Sequence, residues 1–338
     1  MKILVTGGAG YIGSHTVVEL ASSGHSPVII DNFNNSKESV VKNIEKIIGK
    51  KVPYYEQNFQ DINLLQKVLI EEKIEGVIHF AADKAVSESL KEPLKYYLNN
   101  VAGFIEFLDQ LEKYSDLPVV FSSSCTIYGE PDKLPITEDS EIKLASSPYG
   151  STKQMCETIL KDVVTLKKKL RAISLRYFNP IGAHPSGLIG ELPLGQPNNL
   201  VPFLLQATAG LREELTVYGN DYPTPDGTCI RDYIHVIDLA KAHINALEHM
   251  ANKKPGYYNY CNVGTGIGSS VLDVINTFER GTGKKVPYKI GLRRQGDIIR
   301  IYAEVEKSKT LLDWKANLTL SDALKDAWNW QQTISSKQ

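Results

Sequence analysis

Cysteine is scarce in this 338-residue chain, and the four present, Cys125, Cys156, Cys229 and Cys261, stand far apart with no C-x-x-C pair. That spacing argues against a disulfide framework or a cysteine-based zinc site, and it fits reduced, buried thiols in a cytoplasmic protein. The seven histidines are dispersed and form no H-E-x-x-H, so no metal site is expected. His79, on an apolar stretch, reads as a satisfied core residue. No run of about 18 apolar residues exists to span a membrane, and the segment before the first glycine is too short for a secretory leader. A formal net charge of -1 gives no general attraction to nucleic acid or to an anionic membrane surface. Internal repeats and low-complexity tracts are absent. What remains, 42% hydrophobic and 23% charged, is the composition of a globular protein with a sizeable core. The length favours about two domains, or one large α/β domain with an appended lobe.

The chain opens on a short apolar strand, Lys2 to Thr6, followed at once by Gly7-Gly-Ala-Gly10-Tyr11-Ile12-Gly13, a helical stretch to Ser22, and a second strand, Pro27 to Ile30, ending at Asp31. Strand, glycine turn, helix and strand, with an acid about 20 residues on, is a dinucleotide-binding arrangement. The glycines let backbone N–H groups approach a pyrophosphate, and the helix N-terminus adds its positive dipole end. Asp31 is suited to accept from the adenosine ribose hydroxyls and to repel a 2′-phosphate, which favours NAD over NADP. Alternation continues with helices at 40–48, 61–72 and 92–114 and strands at 52–56, 76–80 and 117–122. This predicts βαβ units and a Rossmann-type, doubly wound parallel sheet whose ligands lie beyond the carboxyl ends of the strands. Gly7, Asp31, Ala81 and Ser122 to Ser124 all fall at such ends.

Tyr149 and Lys153 are four apart in Ser147-Pro-Tyr-Gly-Ser-Thr-Lys153, so a helix raises both on one face. Pro148 suits a first helical turn, and the pattern runs towards Lys169. A free phenol has a pKa of about 10, and a nearby ammonium together with a cationic nicotinamide ring is expected to lower it. After a strand at 172–176 comes a loop from Ile181 to about Pro197, rich in glycine and proline and long enough to suggest a functional role. Helices are expected from Asn198 to about Leu211, from Asp238 as a cap to about Ala251, from Ser269 or Ser270 to about Arg280, and from Ser321 to Gln332. The boundary falls near residue 180: residues 1–180 carry the cofactor and the Ser/Tyr/Lys group. Residues 181–338 form a smaller substrate-binding α/β lobe, with some segments returning to the first domain. Arg231 and Arg294 are of the type that pairs bidentately with a diphosphate, although for each alone a surface ion pair is the better reading.

The stretches Val5 to His15, His79-Phe80-Ala81, Lys84-Ala-Val86, Ser122-Ser-Ser124, Tyr149 with Lys153, and Arg176 to Gly187 resemble the UDP-glucose (UDP-galactose) 4-epimerase family of the extended short-chain dehydrogenase/reductases. Pro197 to Leu200, Gly219 to Thr224, Arg231 to His235 and Arg293 to Asp297 continue the likeness in the family's order. The resemblance implies that a hydride passes from C4 of a UDP-hexose to tightly bound NAD while Tyr149 takes the 4-hydroxyl proton. The 4-keto sugar then turns over and takes the hydride back on its other face, interconverting UDP-galactose and UDP-glucose in galactose metabolism. Ser124, Tyr149 and Lys153 are the catalytic residues this implies.

Cofactor contacts carried over from the family are Gly7, Gly10, Tyr11, Ile12, Gly13, Asp31, Asn32, Asn35, Ser36, Asn58, Phe59, Phe80, Ala81, Ala82, Lys84, Asn99, Ser122, Tyr177 and Phe178, besides Tyr149 and Lys153. Substrate contacts carried over are Lys84, Ser124, Tyr149, Asn179, Asn198, Asn199, Leu200, Thr216, Tyr218, Arg231, Tyr233, Arg294, Asp297 and Ile301. A homodimer through the two long helices, at 92–114 and 149–169, is implied as well. The chain departs from the family pattern at Ala82-Asp83, at Cys125 and at Asn58-Phe59. Near Ile301 the family has a residue whose bulk decides whether N-acetylhexosamines fit, and isoleucine is intermediate. A nucleotide-sugar 4,6-dehydratase is the nearest rival, but it needs acids just after the serine, where Cys125-Thr126 stand. A non-catalytic dinucleotide-binding protein is the rival from another class, opposed by the joint presence of Ser124, Tyr149 and Lys153.

Overall fold

The computed structural model describes residues 1–114, 116–294 and 296–336. Six strands lead the chain: β1 (Lys2–Thr6), β2 (Ser26–Asp31), β3 (Tyr54–Glu56), β4 (Gly76–His79), β5 (Pro118–Ser124) and β6 (Arg171–Tyr177). After them, β7 (Asn179–Ile181), β8 (Leu215–Tyr218) and β9 (Ile230–His235) belong to a second region, and β10 (Tyr258–Val263) returns to the first. The large sheet has the order β10-β6-β5-β4-β1-β2-β3, parallel throughout. Successive strands build outward in one direction from β1 and then in the other from β4, so the order reverses between β1 and β4. The helices on either side diverge there and leave a crevice at the carboxyl ends.

Strand side chains alternate between the two faces. Ile3, Val5, Ile29 and Ile78 point into one core with Val17 and Leu20 of the Tyr11–Ser22 helix and Leu239 of the Val236–His249 helix. Leu4, Val28, Val77 and Phe121 point into the other, against Leu65, Phe107 and Leu160 from three further helices. Both faces being buried explains why these strands read as continuous apolar runs.

The smaller lobe is built on β9, which pairs with β7, β11 (Gly268–Ser270) and β13 (Arg300–Ile301), while β8 pairs with β12 (Tyr288–Gly291). Its core holds Leu204, Val217, Phe278 and Leu324. Two expectations are corrected here. His235, not Asp238, caps the Val236–His249 helix, its Nδ1 accepting from Ile237 N at 3.1 Å. Asp238 sits inside the first turn, and its Oδ2 accepts from Asn317 and Leu318 N at 2.8 and 2.7 Å. The 92–114 pattern is also not one regular helix: Pro93–Tyr96 and Gly103–Glu112 are joined by a wider π-helical turn, Tyr97–Ala102.

Candidate active site

At the carboxyl end of β1, Gly7 holds φ +72, and a Cβ there would lie 2.9 Å from Ala81 N. Only glycine lets the turn pass so close to the end of β4. A Cβ on Gly13 would meet Gly7 O at 2.1 Å, which keeps the helix start against the turn. Gly10 caps the Tyr11–Ser22 helix with no side-chain hydrogen bond, and its first turn carries no acid. The first N–H groups of that helix thus have no capping side chain among the described residues, which fits a pyrophosphate. Asp31, at the end of β2, accepts from Ala9 N at 2.9 Å, Phe33 N at 2.9 Å and Ser36 Oγ at 3.0 Å. Its carboxylate is thus fixed beside the glycine turn, as a ribose-binding acid requires. Asn32 and Asn35 stand exposed on the loop that follows.

Tyr11 donates to Gly182 O at 2.7 Å, tying the glycine turn to the loop after β7. Phe59 packs edge-on to His79 at 5.1 Å, and Phe80 lies 4.6 Å from the His243 ring. Asn58 turns its Oδ1 to Gln60 N at 3.2 Å, and Gln60 Nε2 donates to Asn99 O at 3.2 Å. Ile12 and Ala82 are half-buried beside them. His79 is a satisfied core residue, with Nδ1 2.8 Å from Thr6 Oγ1 and its ring stacked on Phe107. At Asp83 the backbone N and O both bond to Asn100, at 2.8 Å each, while burial pushes its carboxyl up.

Ser124 ends β5, and Tyr149 and Lys153 rise from the Pro148–Asp162 helix, which Ser147 caps by accepting from Gly150 N at 3.2 Å. All three side chains are buried. Lys153 Nζ donates to Ser122 O at 2.7 Å and lies 5.9 Å from the Tyr149 ring centre. Ser122 Oγ bonds to the Tyr177 hydroxyl, and Ser124 Oγ accepts from Thr126 Oγ1 at 3.0 Å.

The expected lowering of the Tyr149 pKa by its lysine is not what the protein alone produces. Burial lifts the phenol well above its ordinary value, Tyr177 adds to this, and the Ser124 hydroxyl opposes it. Burial likewise brings Lys153 down to about 8, against the pull of Cys156 and Glu157. In a dry site, desolvation of the phenolate outweighs one ammonium that is not in direct contact.

In the smaller lobe Asp297 joins the two expected arginines. Its Oδ1 is 2.6 Å from Arg294 Nη2 and 3.9 Å from Arg231 Nη2, and Arg294 lies 5.6 Å from the Tyr218 ring. Gln295, in the same stretch, lies outside the described residues. Thr216 shares β8 with Tyr218, and Asn179 is in register with the buried Tyr233. Ile301 and Phe178 share a small buried cluster with Cys125, so the Ser124 end of β5 meets the second lobe there.

Asn199 is the N-cap of the Leu200–Thr208 helix but makes no side-chain cap bond; its Nδ2 donates instead to Glu191 Oε1 at 3.1 Å. Glu191 also lies 3.5 Å from Lys84 Nζ, so it links an expected residue of each lobe. Neither Glu191 nor Glu157 was singled out by the sequence. The one signal for Glu191 is its being an acid in a Gly/Pro-rich loop; for Glu157 it is its position four residues after Lys153. Asn198 is exposed.

The description "GDP-mannose 4,6 dehydratase" belongs to the family model that matches residues 4–327. A UDP-glucose 4-epimerase of Bacillus subtilis (strain 168) is 50% identical over 333 residues, 98% of this chain and 97% of the relative. Among solved structures, a Stenotrophomonas maltophila UDP-glucose-4-epimerase with bound NAD and formylated UDP-arabinopyranose superposes with a TM-score of 0.96 at 44% identity, covering 100% of both chains. A Bifidobacterium longum UDP-glucose 4-epimerase in complex with NAD+ and UDP gives 0.93 at 44% identity, covering 99% of both.

Proposed function

As the chain belongs to the UDP-glucose 4-epimerase family, we propose that it interconverts UDP-galactose and UDP-glucose through a 4-keto sugar, with NAD held in the crevice between β1 and β4. The observation that carries this is the grouping of Ser124, Tyr149 and Lys153 at the end of β5, beside a glycine turn and an acid that fit a dinucleotide. NAD supplies the hydride acceptor and donor for C4. Tyr149 takes the 4-hydroxyl proton as the ketone forms and returns it when the ketone is reduced. Ser124 orients O4, and Lys153 stabilises the phenolate.

The pyrophosphate of NAD is assigned to the N–H groups at Tyr11 to Gly13 and its adenosine ribose to Asp31. Cofactor binding belongs to residues 1–180 with the returning segments, and the UDP-sugar lies mainly against residues 181–338. There Arg231 and Arg294 take the diphosphate, and Asp297 with Tyr218 the nucleoside. Elimination of the dehydratase kind is disfavoured because Cys125, pushed up to about 12 by burial, and Thr126 stand where an acid is needed.

We also assign a homodimer. Leu94 and Leu98 are 74% and 67% exposed on the first long helical segment, and Met155 and Leu166 are exposed on the second. Such a row on neighbouring helices is the surface a helical interface covers. Four free, buried cysteines support a reducing, cytoplasmic setting.

The test is incubation of the purified protein with UDP-galactose and no added NAD. Formation of UDP-glucose is expected, and shows both the reaction and a retained cofactor. Conversion of UDP-N-acetylhexosamines alone would move the substrate assignment, and no reaction with any of these sugars, even with NAD added, would overturn it.

A further inference from the structure

Beneath the reacting side chains lies a buried ion pair that the chemistry above does not use. Glu157, one helical turn beyond Lys153, receives Arg176 of β6 bidentately, with Nη2 at 2.7 Å from Oε2 and Nε at 3.0 Å from Oε1. Glu157 also accepts a hydrogen bond from Ser123 Oγ. Ser123 is the residue between Ser122, whose carbonyl receives Lys153, and Ser124, whose hydroxyl faces Tyr149. The guanidinium is held in turn: Nη1 donates to the Tyr128 hydroxyl at 3.0 Å, and the plane lies 4.0 Å over the Tyr260 ring of β10. Tyr128 donates on to Asn262 Oδ1 at 2.7 Å. Ser123, Glu157, Arg176, Tyr128 and Asn262 are all buried.

We infer that Glu157, clamped by Arg176, is a positioning residue for the reaction: it ties the β5 end that carries Ser122 and Ser124 to the helix that carries Tyr149 and Lys153. The inference rests on the assignment of those residues to the chemistry. A carboxylate bound from two strands while carried on the helix leaves the helix little freedom to slide or turn over the sheet. That freedom would separate Lys153 from Ser122 and Tyr149 from Ser124.

The pair also sets the local charge. Lys153 faces Ser122 O, the Phe121 ring, Tyr149, the Cys156 thiol, His79 and Glu157. Cys156 is pushed up to about 12 and His79 down to about 3, so both are neutral near pH 7. Tyr177, Cys125 and Tyr96, which face Tyr149, are raised by burial and neutral as well. Glu157 is therefore the anion that favours the Lys153 ammonium among these groups, and Arg176 is the cation that tempers it.

Opposite charge changes should move the alkaline limb of the pH–rate profile in opposite directions. Glu157→Gln removes the anion and leaves the guanidinium, so the limb is expected to fall by about one pH unit. Arg176→Met leaves the carboxylate uncompensated, so the limb is expected to rise. Arg176→Lys, which keeps the charge, should hold it near the parent. The side-chain NMR shift of Lys153 against pH reads the same change without turnover. Should the charge variants fail to fold, Ser123→Ala removes one hydrogen bond and no charge. It is expected to slow turnover by roughly 3- to 10-fold at unchanged KM for UDP-galactose, in line with the net worth of one intramolecular hydrogen bond.

Limbs and NMR shifts that stay put in both charge variants, or unchanged turnover in Ser123→Ala, would overturn the inference while Tyr149→Phe remains slow. Near-normal turnover by Tyr149→Phe would instead remove the site assignment itself.

Discussion

Burial, Tyr177, Cys125 and Tyr96 resist the ionisation of Tyr149, and the Lys153 ammonium near it is itself weakened by burial. A phenolate in this site needs positive charge from the bound cofactor as well as from Lys153, which couples acid–base chemistry to NAD occupancy. Tyr149→Phe is therefore expected to fold and keep NAD but to turn over at least ~10²-fold more slowly, in line with loss of a general acid/base. Single-turnover assays alongside the NAD content of the purified variant check both halves, and near-parental turnover would count against the assignment. Asp31→Ala is a second test at this scale. It removes the acceptor of Ala9 N and Ser36 Oγ, so it should both release NAD on gel filtration and cost about 1–3 kcal/mol of stability. Retained NAD and an unchanged melting temperature would show that the carboxylate carries neither load. Gly7, Asp31, Tyr149 and Lys153 were legible in the sequence because each sits in a short pattern with a physical reason for its spacing. Glu157 and Glu191 were not, because their meaning comes from Arg176, Lys84 and Asn199, which only the fold brings to them.

Helices with caps and strands flanked by glycine were the readable elements. Ser270 accepts from Asp273 N at 2.9 Å, and Asp273 Oδ2 accepts from Ser270 N at 3.0 Å, closing a capping box on the Val271–Thr282 helix. Replacing Ser270 by alanine should cost about 1 kcal/mol, read from a denaturant midpoint, with no change in NAD content. An unchanged midpoint would mean the helix is held by Val274, Ile275 and Phe278 in the core alone. Strands β7, β11 and β13 escaped the sequence because two or three residues are too few for a period to show. The Asp238 cap failed for a different reason: His235, an imidazole three residues earlier, already supplies the acceptor. In the proposed homodimer, Leu94→Glu with Leu98→Glu, on the Pro93–Tyr96 helix and the π turn after it, should halve the mass seen by light scattering, since two buried carboxylates without partners disfavour a helical interface. An unaltered mass would remove that face from the assembly.

At the scale of the whole molecule, three imidazoles are sealed in the large domain and set its tolerance of acid. His15 and His79 are brought down to about 3 and His243 to about 4, in each case mainly by burial. His15 and His243 donate from Nδ1 to the carbonyls of Tyr11 and Leu239, and both Nε2 atoms are buried without a hydrogen-bond partner among the described residues, so no described carboxylate bonds to them and rewards protonation. In the unfolded chain a histidine takes its proton near pH 6.5. Between that value and the folded ones, the unfolded state binds more protons, so stability is full above about pH 6.5 and declines as pH falls. At pH 5 each histidine removes about 2 kcal/mol, and three together remove a large share of the 5–15 kcal/mol typical of a native protein. Glu138 and Asp232, whose carboxyls burial pushes up, act in the opposite sense. Their contribution is present at low pH and lost as pH rises, so it cannot prevent the decline that begins near pH 6.5. The NAD-saturated protein should therefore melt at steadily lower temperature from pH 7 to pH 5. His243→Phe, which keeps an aromatic ring beside Phe80, should make that slope shallower. A melting temperature that stays level across this range would mean the buried imidazoles accept protons in place, and the sealing of the large domain would have to be abandoned.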